Sequence, residues 1–389
     1  MRMNVVYLSP HFPPNYYQFS QALKRLGVNV LGIADASYHA LRPELKASLT
    51  EYYQVRSMED YDQLLRALGY FTHKYGKIDR IDSHNEYWLE TEARLRTDFN
   101  IPGTNTASIQ DIKYKSRMKQ KYIEAGIAVA RGRVVETLEA AQAFIDEVDY
   151  PVVAKPDKGV GAANTYKIRN PRELEAFFAE KPPVSYIMEE FIRGLIVSFD
   201  GLTDRAGQPV FFTSHVYNDG VMETLNEGRN IYYYSLRQVP PDLEEAGRKV
   251  LRAFDVREKF FHFEFFRTDD GQIVALEVNM RPPGGYTTDM FNYANDIDIY
   301  QEWANILVHN RFTAEYSRKY HCAFISRKLK NLTYEHSHAA ILANYPEAVV
   351  FHTAMPAIFA PVMGEYAYLV RATDISSIQE MIEYIQKLS

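Results

Sequence analysis

Residues 260–281 read "FFHFEFFRTDDGQIVALEVNMR", two alternating apolar runs on either side of Asp270-Gly271. Asp-Gly between such runs is the strong signal for a hairpin with a two-residue type I′ turn. That turn sets Asp269 opposite Gln272. Counting outward along the strands places Glu264 opposite Glu277 and His262 opposite Asn279, all on one face. Directly opposed carboxylates have Cβ atoms roughly 4.5–5.5 Å apart and repel each other. A shared proton, an arginine or a divalent cation must offset that repulsion. Two carboxylates and an amide oxygen, with no soft ligand nearby, form a hard oxygen set suited to Mg²⁺ or Mn²⁺. The bland alternative is a solvated polar face with Arg281 pairing one acid. The aromatic flanks and the "PPGG" that follows Arg281 stand against it.

The 389 residues suffice for two or three domains. With 46% hydrophobic and 24% charged residues the composition is that of an ordinary soluble globular protein. A net charge of −6 gives no reason to expect nucleic acid or an anionic membrane as partner. The single cysteine, Cys322, excludes an internal disulfide framework and a cysteine-based metal cluster, and it fits a reducing cytosol. The opening "MRMNVVYLSP" reads as a first buried strand rather than a secretory signal. The apolar stretch "AVVFHTAMPAIFAPVM" is too short and too broken to span a bilayer. A cytoplasmic protein is expected.

Up to about residue 110, apolar β-rich runs alternate with helical patterns: "NVVYLS", "VNVLGIAD" and "IDRIDSH" as strands, and "YYQFSQALKRLG", "SMEDYDQLLRALGYFTHKYG" and "NEYWLETEARLRTDF" as helices. That alternation predicts a doubly wound parallel sheet. The loop after the first strand, "SPHFPPNYYQF", lacks G-x-G-x-x-G, which disfavours a dinucleotide site. From Ser108 the texture changes. "SIQDIKYKSRMKQKYIEAGI" predicts one basic amphipathic helix ending at Gly126, and Thr137 is the expected N-cap of "LEAAQAFIDEV". Strands dominate from there to residue 285, followed by a helix around "DIYQEWANILVHN", mixed strands and a closing helix, "SSIQEMIEYIQKL".

Three weaker segments accompany the hairpin. In "YPVVAKPDKGVGAANTYKI", Lys155 ends an apolar strand, and the loop after it carries Lys158, Gly159 and Gly161. Glycines let backbone N–H groups approach a phosphate and a lysine supplies a point charge, though an ordinary hairpin with exposed lysines reads the same way. Glu189 and Glu190 in "SYIMEEFIRG" would, alone, be a surface pair, and Lys115 would be a solvated helix lysine. Arg229, in the polar and aromatic stretch "NDGVMETLNEGRNIYYYS", either holds a substrate carboxylate or is a surface arginine. His262 reads as a packed core histidine or a neighbour of the metal.

Helix lysine, strand-end lysine, glycine loop, apolar-Glu-Glu-apolar and paired-acid hairpin, in that order, resemble the ATP-grasp superfamily, over roughly residues 108 to 310. The resemblance is nearest to carboxylate–amine ligases that include the bacterial L-amino-acid ligases, with biotin carboxylase a more distant relative. It implies α/β and α+β architecture in four parts. Residues 1–108 form an N-terminal Rossmann-like domain, and 109–190 a small ATP-grasp subdomain with a phosphate lid. Residues 191–312 form the large subdomain with the metal site, and 313–389 a C-terminal α+β segment completing the large lobe.

What the resemblance implies for single residues follows the motifs. Lys115 and Lys155 would contact the nucleotide phosphates, and the loop at 157–163, with Gly159 and Gly161, would close over them. Backbone groups of Glu190, Phe191 and Ile192 would read the adenine edge, with Glu189 or Glu190 reaching the adenine amino group or the ribose. Ile196 departs from the pattern, because the family often has a glutamate there, near the ribose. Glu264, Glu277 and Asn279 would hold Mg²⁺ or Mn²⁺. Arg281, with Asn279, would steady the transferring phosphoryl group, and Gly284 and Gly285 would approach the substrate carboxylate. The expected activity is ATP-dependent joining of a small carboxylate and an amine through an acyl phosphate. A purine-pathway or carboxylase-type ligase and a non-catalytic ATP-binding module are the alternatives, and a homodimer is an admissible assembly.

Overall fold

A computed structural model describes residues 2–159, 164–218 and 229–389. The chain begins with a parallel sheet of β1 (Asn4–Leu8), β2 (Asn29–Ala34), β3 (Glu51–Gln54) and β4 (Arg80–Asp82), in the order β3-β2-β1-β4. Both faces are covered, as a parallel sheet requires. Val5 and Tyr7 pack with Phe19, Tyr300 and Trp303, whereas Val6 and Leu8 face Leu64 and Phe71. The first of these cores includes the helix Ile299–His309, so the amino-terminal sheet is cemented to a helix nearly three hundred residues away in sequence. The strand order reverses between β1 and β4, so the loops after these two strands flank a crevice of the kind where open α/β sheets bind ligands.

The predicted basic helix is interrupted. Tyr114 is extended (φ −100°, ψ 117°) and divides it into Gln110–Lys113 and Lys115–Glu124. The break is held from outside: Tyr114 bridges to Lys158, and the Lys115 N–H donates to the Asp157 carbonyl (2.8 Å). The Asp157 carboxylate also accepts from the Ser116 N–H (2.7 Å) and hydroxyl (2.8 Å). A carboxylate from another segment thus caps this helix and complements its dipole.

A second sheet comprises β5 (Gly132–Val135), β6 (Val152–Pro156), β7 (Tyr166–Ile168) and β8 (Tyr186–Glu190), antiparallel in the order β5-β8-β6-β7. The helices Leu138–Val148 and Pro171–Glu180 cover it, N-capped by Thr137, as expected, and by Asn170. The third sheet has eight strands: β9 (Leu195–Thr203), β10 (Pro209–Tyr217), β11 (Tyr232–Ser235), β12 (Phe260–Arg267), β13 (Ile273–Asn279), β14 (His321–Arg327), β15 (Val349–Ala354) and β16 (Tyr366–Ala372). Their order is β13-β12-β9-β10-β11-β14-β16-β15, all antiparallel, so the last three strands extend the sheet that carries the acidic hairpin. No helix among the described residues is long and apolar enough to cross a membrane.

The hairpin differs from its expected turn. Arg267 pairs with Ile273, and the Thr268 N–H donates to the Gln272 carbonyl (3.0 Å), so Asp269 does not stand opposite Gln272. Asp269, Asp270 and Gly271 form the loop, and only Gly271 has positive φ (+87°), which excludes type I′. A second irregularity follows, because Phe265 pairs with Ala275 but Glu264 pairs with Glu277, leaving Leu276 as a bulge. Beside the bulge, the Ala275 N–H donates to the Ala128 carbonyl (2.8 Å). The two one-residue shifts cancel, so Glu264 faces Glu277 and His262 faces Asn279 as the sequence predicts.

Candidate active site

A cavity of about 520 Å³ opens between the four-stranded antiparallel sheet and the edge of the eight-stranded one. Lys155 and Glu189 line it from one side; Glu264, Glu277, Asn279 and Arg281 line it from the other, with Lys115 and Glu86 between. The expected hinge, Glu190, Phe191 and Ile192, lines it too, as does Ile196 beside Leu195 and Phe266. The position where the family often has a glutamate is therefore an apolar wall. Gly159 has intermediate exposure and is not among the lining residues, and Gly161 lies outside the described residues. Arg229 is exposed and Gly284 and Gly285 sit beyond the cavity lining. Gly285 does meet a steric demand: its φ is +65°, and a Cβ there would come 2.5 Å from Met363 Cε.

The acidic end is electrostatically unfinished. Lys115 Nζ lies 3.4 Å from Glu277 Oε1, yet the Glu277 carboxyl titrates above its ordinary range, first through burial and then through the charges of Glu86 and Glu264. Glu264 Oε1 meets His262 Nε2 at 3.0 Å, and His262 Nδ1 meets the buried Asp200 at 2.5 Å. Burial opposes a charged His262, but Asp200 and then Glu264 outweigh it and raise the imidazole pKa to about 9. His262 is therefore both buried and in contact with an acid of the site. Among the described residues no group of three or more His, Cys, Asp or Glu could hold a metal ion. The hard set here is two carboxylates and the Asn279 amide, whose surplus negative charge fits a hard divalent cation.

Arg281 is held by a residue outside the hairpin. Its Nη2 lies 2.8 Å from Glu86 Oε2, and its Nη1 donates to the Pro282 carbonyl (3.0 Å). Glu86 follows β4 in the switch-point crevice and also faces Lys113 Nζ at 3.7 Å. Its carboxyl stays below the ordinary range because Arg281 and Lys113 outweigh the effect of burial.

At the other end Glu189 is an ion-pair partner of lysines. Lys155 Nζ is 2.6 Å from its Oε2 and Lys119 Nζ is 2.8 Å from its Oε1. Burial pushes the Glu189 carboxyl up, but the two lysines more than reverse this and bring it to about 2. The Glu190 carboxylate accepts from the Arg131 N–H (2.6 Å) and Nε (2.8 Å), so it is engaged at the sheet edge. Neither glutamate has a carboxylate without a partner to offer adenine or ribose. Glu86, Lys113, Lys119, Asp157 and Asp200 were not anticipated. Glu86 had a readable signal, since it follows a strand predicted to end at the crevice of a parallel sheet. Lys119, four residues after Lys115 on one helix face, had another.

Comparison with known proteins places this geometry. Residues 148–289 match the model of the ATP-grasp domain. Over 245 residues, 61% of this chain, the sequence is 26% identical to the L-arginine-specific L-amino acid ligase of Bacillus subtilis, and it spans 59% of that protein's length. The fold is similar to that of the L-amino acid ligase from Bacillus licheniformis, with a TM-score of 0.75 and 16% identity over 98% of this chain and 96% of the other. It is also similar to biotin carboxylase from Campylobacter jejuni, with a TM-score of 0.68 and 16% identity over 100% of this chain and 92% of the other. Residues 148–289 thus match an ATP-grasp domain, within a fold shared with an L-amino acid ligase and a biotin carboxylase.

Proposed function

We propose that the protein is an ATP-dependent carboxylate–amine ligase acting on small, amino-acid-like substrates. The observation that carries this reading is that Lys155, the opposed acids Glu264 and Glu277, Asn279 and Arg281 all line one cavity. A scaffold that merely held nucleotide would have no use for a half-buried guanidinium on the same wall as two facing carboxylates.

The residues divide the work by charge. A carboxylate and ATP are both anionic, so their approach must be neutralised before phosphoryl transfer. Lys155 and Lys115 attract the polyphosphate, and the nucleobase lies against the hinge of Glu190, Phe191 and Ile192. Glu264, Glu277 and Asn279 would hold Mg²⁺ or Mn²⁺, which supplies charge neutralisation at the phosphates. Arg281 orients the transferring phosphoryl group toward the substrate carboxylate. A carboxylate oxygen attacks the γ-phosphorus and ADP leaves, forming an acyl phosphate. The amine nitrogen then attacks the acyl carbon, phosphate departs, and the ammonium proton is released to give the amide.

An ADP-release screen over pairs of amino acids, with phosphate measured in parallel, tests the reading. Equimolar ADP and phosphate that require both substrates support it. ADP release indifferent to any amine, or tight nucleotide binding without turnover across the screen, sinks it.

A further inference from the structure

Lys119 lies on the helix Lys115–Glu124, buried and off the cavity wall. Its Nζ lies 2.8 Å from Glu189 Oε1 and donates to the Ala130 carbonyl. The other oxygen of Glu189 is 2.6 Å from Lys155 Nζ, and Lys155 does line the cavity. One buried carboxylate therefore serves two ammonium groups. Space for this arrangement comes from Gly132, which pairs directly with Glu189 across β5 and β8. A Cβ at Gly132 would come 2.7 Å from Glu189 Cγ and 3.3 Å from Lys119 Cε. Only glycine there lets the stems of Glu189 and Lys119 pass each other.

A buried Lys155–Glu189 pair alone would be neutral, with the lysine's charge spent on its partner. Lys119 changes the sum: two ammonium groups and one carboxylate carry a net charge of +1, and Lys155 and Glu189 are the members that reach the cavity wall. Burial opposes the Lys155 charge and the carboxylates of Glu189, Glu277 and Glu264 support it; an anion entering the cavity adds to that support. We propose that Lys119 is a positioning residue for the nucleotide polyphosphate. By sharing Glu189 it holds the Lys155 ammonium at the cavity wall and leaves the triad with a positive charge for phosphate to take up. The proposal rests on the ATP-binding reading above.

Calorimetric titration of the full chain with ADP and, separately, with uncharged adenosine, both in metal-free buffer, tests it. Lys119→Met is expected to weaken ADP binding about tenfold, as loss of one nearby charge implies, with adenosine binding unchanged. Lys119→Arg should recover most of the loss. Gly132→Ala, which crowds Glu189 without altering any charge, should weaken ADP binding in the same direction and carries the test if Lys119→Met does not fold. Equal ADP affinity in wild type and variant overturns the proposal, as does a parallel loss of adenosine affinity. A wild-type chain that binds neither ligand overturns the nucleotide reading itself.

Discussion

Glu264 and Glu277 stand directly opposite each other across β12 and β13, although a three-residue loop and a bulge at Leu276 intervene between them. Each irregularity alone would turn one acid away from the other, since a one-residue slip reverses the face of every side chain. Together they restore the facing pair. Burial, with the charges of Glu86 and Glu264 added to it, makes Glu277 hold its proton more tightly than an ordinary glutamate.

Glu277→Gln should therefore separate activity from stability. ADP release should fall by at least about 100-fold, since even partners one shell away from a metal typically account for 10–100-fold. The melting temperature should change little, because the substitution ends the like-charge contact with Glu264 and at the same time removes the Lys115 pair. Parallel turnover and thermal-melt measurements check both halves; undiminished turnover would remove Glu277 from the metal set.

Lys259 sits just before β12 and donates to both Asp82 carboxylate oxygens at 2.8 Å, with Glu92 at 3.3 Å. This buried contact ties the end of β4, and hence Glu86, to the sheet that carries Arg281. Lys259→Met should destabilise the protein by about 3–5 kcal/mol, because the buried Asp82 carboxylate loses its lysine, whereas Glu92 keeps Arg96 at 2.8 Å. Urea unfolding measures the loss, and a midpoint unchanged from wild type would show that the contact is dispensable.

The Glu189 carboxyl, at about 2 in the folded chain against an ordinary 4.5, predicts an acid-sensitive contribution. Between those values the unfolded chain binds the proton and the native chain does not, so stability rises with pH there. The contribution is complete above pH 4.5, is lost as pH falls toward 2, and is worth on the order of 3 kcal/mol. Glu189→Gln should flatten the acid limb of the stability profile. A variant with the wild-type slope would contradict the ion-triad account.

Glu190 offers a contrast. Its carboxylate is occupied by Arg131, so Glu190→Gln should change ADP affinity by less than about twofold. A larger loss would mean that the side chain turns toward the nucleotide on binding.

The register of the acids was legible because apolar alternation and an Asp-Gly turn are local signals, and the tandem irregularities cancelled. The order of lysines, hinge and hairpin was equally legible, since each motif lies in one short segment. The chain's own sequence thus determined the sheet faces, the candidate metal set of Glu264, Glu277 and Asn279, and the cavity-lining lysines Lys115 and Lys155. What completes each charge was decided only in three dimensions. Glu86 reaches Arg281 across 195 residues of sequence, Asp157 caps the helix that begins at Lys115, and Lys119 shares Glu189 with Lys155. Periodicity reports which face a side chain occupies, not which distant charge it meets there. Buried charges must nonetheless find partners, and the packing of three sheets selected them.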